Sequence, residues 1–69
     1  MNTLLNEIID NIENARKDRD YYKSMVQQAL DFGDMDLFRW YTSLFSSCKA
    51  KLDVLEEIKS LIIKNTQNV

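Results

Sequence analysis

The sequence predicts an all-α protein: an antiparallel, coiled-coil-like hairpin of two long helices that dimerises into an antiparallel four-helix bundle. Its 69 residues include no proline and a single glycine, which lies near the middle of the chain. On both sides of that glycine, apolar residues recur at steps of three and four, the spacing of one helix face. We therefore expect one helical-hairpin domain over residues 1–69, with helix 1 at about 3–31, a turn at 32–35, helix 2 at about 35–65 and a polar tail at 66–69.

Helix 1 carries a row of mostly apolar residues at strict three- and four-residue steps, which we call the helix 1 seam. Thr3 suits the N-cap that precedes this row, because its hydroxyl can accept a hydrogen bond from a free backbone N–H. The seam consists of Leu5, Ile8, Ile12, Ala15, Arg19, Tyr22, Val26 and Ala29. Such a row predicts that one side of the helix packs against a neighbouring helix.

The central turn has the residues that end one helix and begin another. Gly33 suits the left-handed position after a helix end, and Asp34 or Asp36 suits the cap of the next helix. The triplet Asp-Phe-Gly at 31–33 also ligates magnesium in protein kinases, but 69 helical residues cannot supply the rest of a kinase site. A calcium loop counted from Asp31 fails as well, since its third position is Gly33 and its twelfth is Thr42.

Helix 2 repeats the pattern of helix 1 and pairs with it. Its seam consists of Phe38, Tyr41, Phe45, Cys48, Leu52, Leu55, Lys59 and Ile62. In an antiparallel hairpin, opposed residues have numbers with a constant sum, and here pairs such as Leu5 with Ile62 and Ile12 with Leu55 all sum to 67. The midpoint of that sum falls at residues 33 and 34, so the two seams and the turn predict the same hairpin.

Helix 2 has a second row at the same spacing, which we call the outer row. It consists of Leu37, Trp40, Leu44, Ser47, Lys51, Val54, Ile58 and Leu61. One hairpin cannot cover both rows, and exposed apolar surfaces of this kind mark interfaces. Run against a copy of itself, the row places Leu37 opposite Leu61 and Trp40 opposite Ile58, as a two-fold contact requires. We therefore predict a homodimer through the outer row, with binding of a different protein as the alternative.

Composition excludes several classes of function. The chain has no histidine and one cysteine, so it offers no base that titrates near neutrality and no zinc site. Cys48 lies opposite Arg19 in the predicted register, a setting that favours a thiolate, although a small buried residue is the simpler interpretation. We expect no enzyme activity, no metal and no cofactor. No apolar run could span a bilayer and no basic region begins the chain, so we expect a soluble, cytoplasmic protein without membrane partners.

The best candidates for binding a partner are residues that lie outside both seams or flank the turn. These are Tyr21, Phe32, Asp34, Met35 and Asp36, which combine aromatic or apolar side chains outside both rows with local acids. We predict a small non-enzymatic interaction module that inhibits or adapts a larger protein. A chain rich in Asn, Lys and Ile is typical of a phage or mobile element of a low-GC host, whose small proteins often act on host or defence proteins.

Basic residues at the waist of the hairpin support an alternative function. Arg16, Lys17, Lys23 and Lys49 lie at similar heights on the two helices. In architecture, the predicted dimer resembles Rop, the small plasmid-encoded RNA-binding bundle, and this resemblance implies a nucleic-acid-binding regulator. Acids interleaved with these bases weaken a phosphate-binding field, and the net charge is only −2. A structural or assembly chaperone is a third possibility with the same sequence features.

Overall fold

A computed structural model describes residues 3–67, which form two α-helices joined by a tight turn. Helix α1 spans Thr3–Phe32 and helix α2 spans Met35–Gln67, and the two pack against each other. The predicted helical hairpin is therefore confirmed. Its Cα atoms extend over 54 × 14 × 12 Å, a rod one helix pair wide.

Helix α2 continues past the predicted end at about residue 65. Its last turns contain neither proline nor glycine, and the Thr66 hydroxyl donates a hydrogen bond to the Ile62 carbonyl at 2.9 Å. The beginning of the predicted polar tail is thus helical, while residues 68 and 69 lie outside the described range. No helix within residues 3–67 is long and apolar enough to cross a membrane.

The turn is built from backbone hydrogen bonds that end α1 and from a side chain that caps α2. Gly33 has φ 71°, and its N–H donates to the Leu30 carbonyl at 3.1 Å while the Asp34 N–H donates to the Ala29 carbonyl at 2.9 Å. This pair of bonds is the Schellman motif, which satisfies carbonyls that the helix leaves free. Asp34 Oδ1 then accepts a hydrogen bond from the Leu37 N–H at 3.1 Å. Of the two candidate caps, Asp34 is therefore the one that caps α2.

The core lies between the two seams. Ile12, Ala15, Cys48 and Leu52 are buried and form one cluster, against which Ile8, Tyr22 and Leu55 pack. The other seam residues of both helices are buried or half-buried as well. This burial pattern places the two seams face to face, as the sequence periodicity predicts.

Individual contacts show how the seams interdigitate. Tyr22 packs on Tyr41 with ring centroids 6.5 Å apart, and the Cys48 thiol donates a hydrogen bond to the Ala15 carbonyl at 3.1 Å. Each contact joins residues one helical turn away from the directly opposed partners of the predicted register. Side chains of an antiparallel pair pack between successive residues of the facing helix, so contacts displaced by one turn are expected.

Candidate interaction surfaces

The hairpin has two different faces, which follow from the rows that flank its seams. On both helices, residues one position before the seam lie on one face, and residues one position after it lie on the other. The first set includes the whole outer row of α2, so we call its side the apolar face. The second set is rich in charged residues, and we call its side the charged face. The predicted site residues divide between these two faces and the tip.

The outer row is the main feature of the apolar face. Its large apolar members are exposed to these extents: Leu37 43%, Trp40 58%, Val54 54%, Ile58 38% and Leu61 54%. Leu44 is half-buried, and the polar members Ser47 and Lys51 are exposed. Among the residues that the structure describes, the buried hydrophobic core consists of five, Ile12, Ala15, Ala29, Cys48 and Leu52. Five large apolar side chains are thus exposed along the outer row, which equals the number of residues buried in the core.

An apolar groove opens on this same face beside the turn, and we call it the tip groove. Its volume is about 230 Å³. The lining residues are Met25, Gln28, Ala29, Phe32, Asp34, Leu37 and Tyr41. Phe32 forms one wall and is 84% exposed, while Met35, which is 50% exposed, follows it across the turn. Leu37 belongs to both the tip groove and the outer row, so the two apolar surfaces are continuous.

The predicted partner-binding residues are only partly brought together. Phe32, Asp34, Met35 and Asp36 lie within one turn of each other at the end of the hairpin, all of them exposed. Tyr21 lies eleven residues before Phe32 in the same helix, about 16 Å away along its axis. We therefore treat Tyr21 separately from the tip.

Tyr21 instead begins a chain of aromatic rings that crosses the hairpin. Its ring meets Tyr22 edge to face at 5.5 Å between centroids, Tyr22 meets Tyr41 at 6.5 Å, and Tyr41 meets Trp40 at 5.1 Å. The two inner rings are half-buried, and the two end rings, Tyr21 and Trp40, are 57% and 58% exposed. Through this aromatic chain the Trp40 ring packs on other residues of the same protomer. The exposed part of the Trp40 side chain is therefore held in place by contacts within the hairpin.

The charged face contains a wide groove at the waist of the hairpin, which we call the charged groove. Its volume is about 340 Å³. Its lining residues are Arg16, Arg19, Asp20, Lys23, Phe45, Lys49, Leu52, Asp53 and Glu56. Three of the four predicted nucleic-acid-binding residues, Arg16, Lys23 and Lys49, therefore meet in one groove, whereas Lys17 is not part of its lining.

Carboxylates reduce the positive charge of this charged groove. Arg16 Nη2 lies 2.8 Å from Glu56 Oε1 across the two helices, and Arg19 Nη2 lies 3.1 Å from Asp20 Oδ1. With Asp53 also in the lining, four basic side chains face three acidic ones. A groove so nearly balanced gives a weak field for a phosphate backbone.

Cys48 has a structural position. The side chain is 9% exposed, its thiol hydrogen-bonds the Ala15 carbonyl, and its predicted neighbour Arg19 is ion-paired with Asp20. Buried thiols of this kind act as small apolar core residues. Within the described residues, no cluster of three or more acidic or cysteine side chains could hold a metal ion.

No protein-family model, curated protein or solved structure matches this chain. Three residues that line the two grooves were not among the sequence-derived candidates. Met25 and Gln28 line the tip groove because they lie one position before the α1 seam, the same offset that places the outer row on this face. Glu56 lies one position after the α2 seam and could have been assigned to the charged groove by that rule.

Proposed function

We propose that this protein is a non-enzymatic protein–protein interaction module that acts as a homodimer and inhibits or adapts a larger protein. The observation that carries the proposal is the stripe of exposed apolar side chains along α2, of which Trp40 is the most exposed at 58%. A monomer rarely keeps so extended an apolar surface in water, because covering it releases free energy in proportion to its area.

The geometry of the outer row supports a second copy as its cover. From Leu37 to Leu61 the row runs for about 36 Å at 1.5 Å per residue. It precedes the α2 seam by one residue, which places it about 100° around the helix axis from the side that contacts α1. A helix in a four-helix bundle contacts two neighbours at nearly this angle. The homodimer is therefore an antiparallel four-helix bundle in which α2 packs on the α2 of the partner.

Helix α1 has a flanking role in this arrangement. On the apolar face its apolar residues, Leu4, Tyr21 and Met25, are interrupted by a polar stretch that includes Asn11, Asn14 and Asp18. Such a row cannot bury a continuous stripe without desolvating polar groups.

The larger protein then binds at the ends of the bundle, where the exposed Phe32 and Met35 provide apolar contacts beside the carboxylates of Asp34 and Asp36.

Substitutions at two residues with nearly the same solvent exposure test the dimer. Trp40→Glu places a charge in the outer row, and Tyr21→Glu places one at the other end of the same aromatic chain. Because these side chains are 58% and 57% exposed, neither change should unfold the hairpin. Light scattering after size-exclusion chromatography should give a dimer for Tyr21→Glu and a monomer for Trp40→Glu. Equal masses for the two variants would contradict the assignment of the outer row.

A capture experiment tests the larger partner. Tagged wild-type protein and a Phe32→Ser variant are used as baits in extracts of the native host, with mass spectrometry of the bound material. The proposal expects a protein that the wild type retains and the variant loses while remaining dimeric. Co-purified nucleic acid, released by salt and reduced by Arg16→Glu, Lys17→Glu and Lys23→Glu, would favour the nucleic-acid-binding function instead. A set of unfolded clients would favour a chaperone.

A further inference from the structure

The two flanks of the outer row differ, and the difference bears on how a second copy would pair. One flank is the α2 seam, which packs on α1. The other flank lies one position before the outer row at seven-residue spacing, and we call it the flanking row. It consists of Asp36, Ser43, Ala50, Glu57 and Lys64, all of them exposed. In a pair of α2 helices, this flanking row is the one that faces its own copy at the solvent-exposed edge of the contact.

Antiparallel pairing gives the flanking row complementary neighbours. If Leu37 packs on the partner's Leu61, then Asp36 faces the partner's Lys64. Two-fold symmetry repeats this pair at the other end of the contact. The remaining members then place Ser43 beside the partner's Glu57 and Ala50 beside its own copy. No like charges meet, and the small Ala50 lies where the two helices cross the symmetry axis, which allows them to approach closely.

Parallel pairing would lack these advantages. It sets each outer-row residue against its own copy, so Lys51 would meet the partner's Lys51 and the large Trp40 would meet the partner's Trp40. Antiparallel pairing instead places Lys51 opposite the partner's Ser47, which accepts a hydrogen bond from an ammonium group. The polar members of the outer row therefore favour the same orientation as the flanking row.

Asp36 and Lys64 are available for such a contact. Asp36 lies in the first turn of α2 and Lys64 in the last turn, so each also complements the helix dipole. Within residues 3–67 of one protomer, neither side chain takes part in an ion pair. We propose that α2 pairs with α2 of a second copy in the antiparallel orientation, and that two symmetry-related ion pairs between Asp36 and the partner's Lys64 select this orientation. This inference rests on the proposed homodimer.

Charge reversal tests the pairing. In Asp36→Lys and in Lys64→Asp, two attractive contacts per dimer become repulsive, so each variant should raise the dimer dissociation constant by about 10- to 30-fold at low salt. The double variant restores opposite charges and should return to within about 3-fold of wild type. It also carries both charges in the wrong sense for the helix dipole, so recovery cannot come from helix stability. Asp10→Lys and Lys17→Asp are matched charge controls on α1 and should leave the dissociation constant unchanged.

The outcomes separate this inference from the proposed function. A wild-type chain that does not self-associate would contradict the homodimer and the inference with it. A wild-type dimer whose double variant is no tighter than the single variants would overturn the ion pairs alone.

Disulfide cross-linking in a Cys48→Ser background determines directly whether the two α2 helices pair in the antiparallel or the parallel orientation. Asp36→Cys and Lys64→Cys proteins should cross-link to each other when mixed and oxidised, but each should stay uncross-linked alone. Self-cross-linking of Asp36→Cys would show parallel pairing and overturn the inference.

Discussion

Replacing Gly33 should change the stability of the hairpin through backbone conformation alone, without a change in side-chain packing. The residue has φ 71°, in the region where an L side chain crowds the following carbonyl. A Cβ atom built on Gly33 meets no other atom within 4 Å, so Gly33→Ala creates no clash with neighbouring elements. The left-handed conformation costs about 1–2 kcal/mol for a residue other than glycine. Alanine also lowers the entropy of the unfolded chain, which offsets about 0.4–1 kcal/mol of this cost.

The net expectation for Gly33→Ala is a loss of about 1 kcal/mol in the free energy of unfolding, or about 4–8 °C in Tm for a chain of this size. Urea and thermal unfolding followed by circular dichroism, at one fixed protein concentration, measure both quantities. Gly33→Asn is the control, because asparagine adopts the left-handed conformation more readily and should lose less. An alanine variant as stable as wild type would show that the left-handed conformation of residue 33 carries no net cost. A loss above about 3 kcal/mol would require a packing contact that the turn does not contain.

Three further predictions concern the core, the cap and the surface of the hairpin. Leu52→Ala should lower the free energy of unfolding by about 2–5 kcal/mol in urea titrations, because Leu52 is 4% exposed and belongs to the buried core cluster; a loss under about 1 kcal/mol would place it outside the core. Asp34→Ala should lose about 1 kcal/mol with the cap of α2 while Asp34→Asn retains most of it, and equal losses would argue against a capping role. For Arg16 and Glu56, whose side chains are 55% and 44% exposed, a double-mutant cycle should give a coupling below about 1 kcal/mol that shrinks in salt; a coupling above about 2 kcal/mol would contradict an exposed pair.

The hairpin could be predicted from the sequence because its physical causes are local. Without proline, and with its one glycine at the centre, the chain has a single point at which a helix can end and reverse. The three- and four-residue steps then identify which side of each helix is buried. Even polar residues on the seams follow this rule: Arg19 and Lys59 are half-buried because long side chains can lay their methylene groups along an apolar surface.

Features that depend on side-chain reach could not be predicted in the same way. Spacing places Asp20 four residues after Arg16 on helix 1, within reach of an ion pair. Arg16 instead extends across the groove to Glu56, and Asp20 pairs with Arg19. The tip groove likewise depends on how Phe32 and Met25 are oriented around the turn. Periodicity indicates that the outer row is largely apolar, but its spacing alone does not identify the molecule that would cover it.

In the proposed homodimer, the apolar stripe of α2 is an interface between two copies of the chain. Sedimentation equilibrium of the wild-type protein at micromolar concentration, with helicity checked in the same samples by circular dichroism, tests it most directly. The chain mass is 8.2 kDa, and the homodimer should give twice that mass in a fully helical sample. A species of 8.2 kDa that remains fully helical across this concentration range would contradict it.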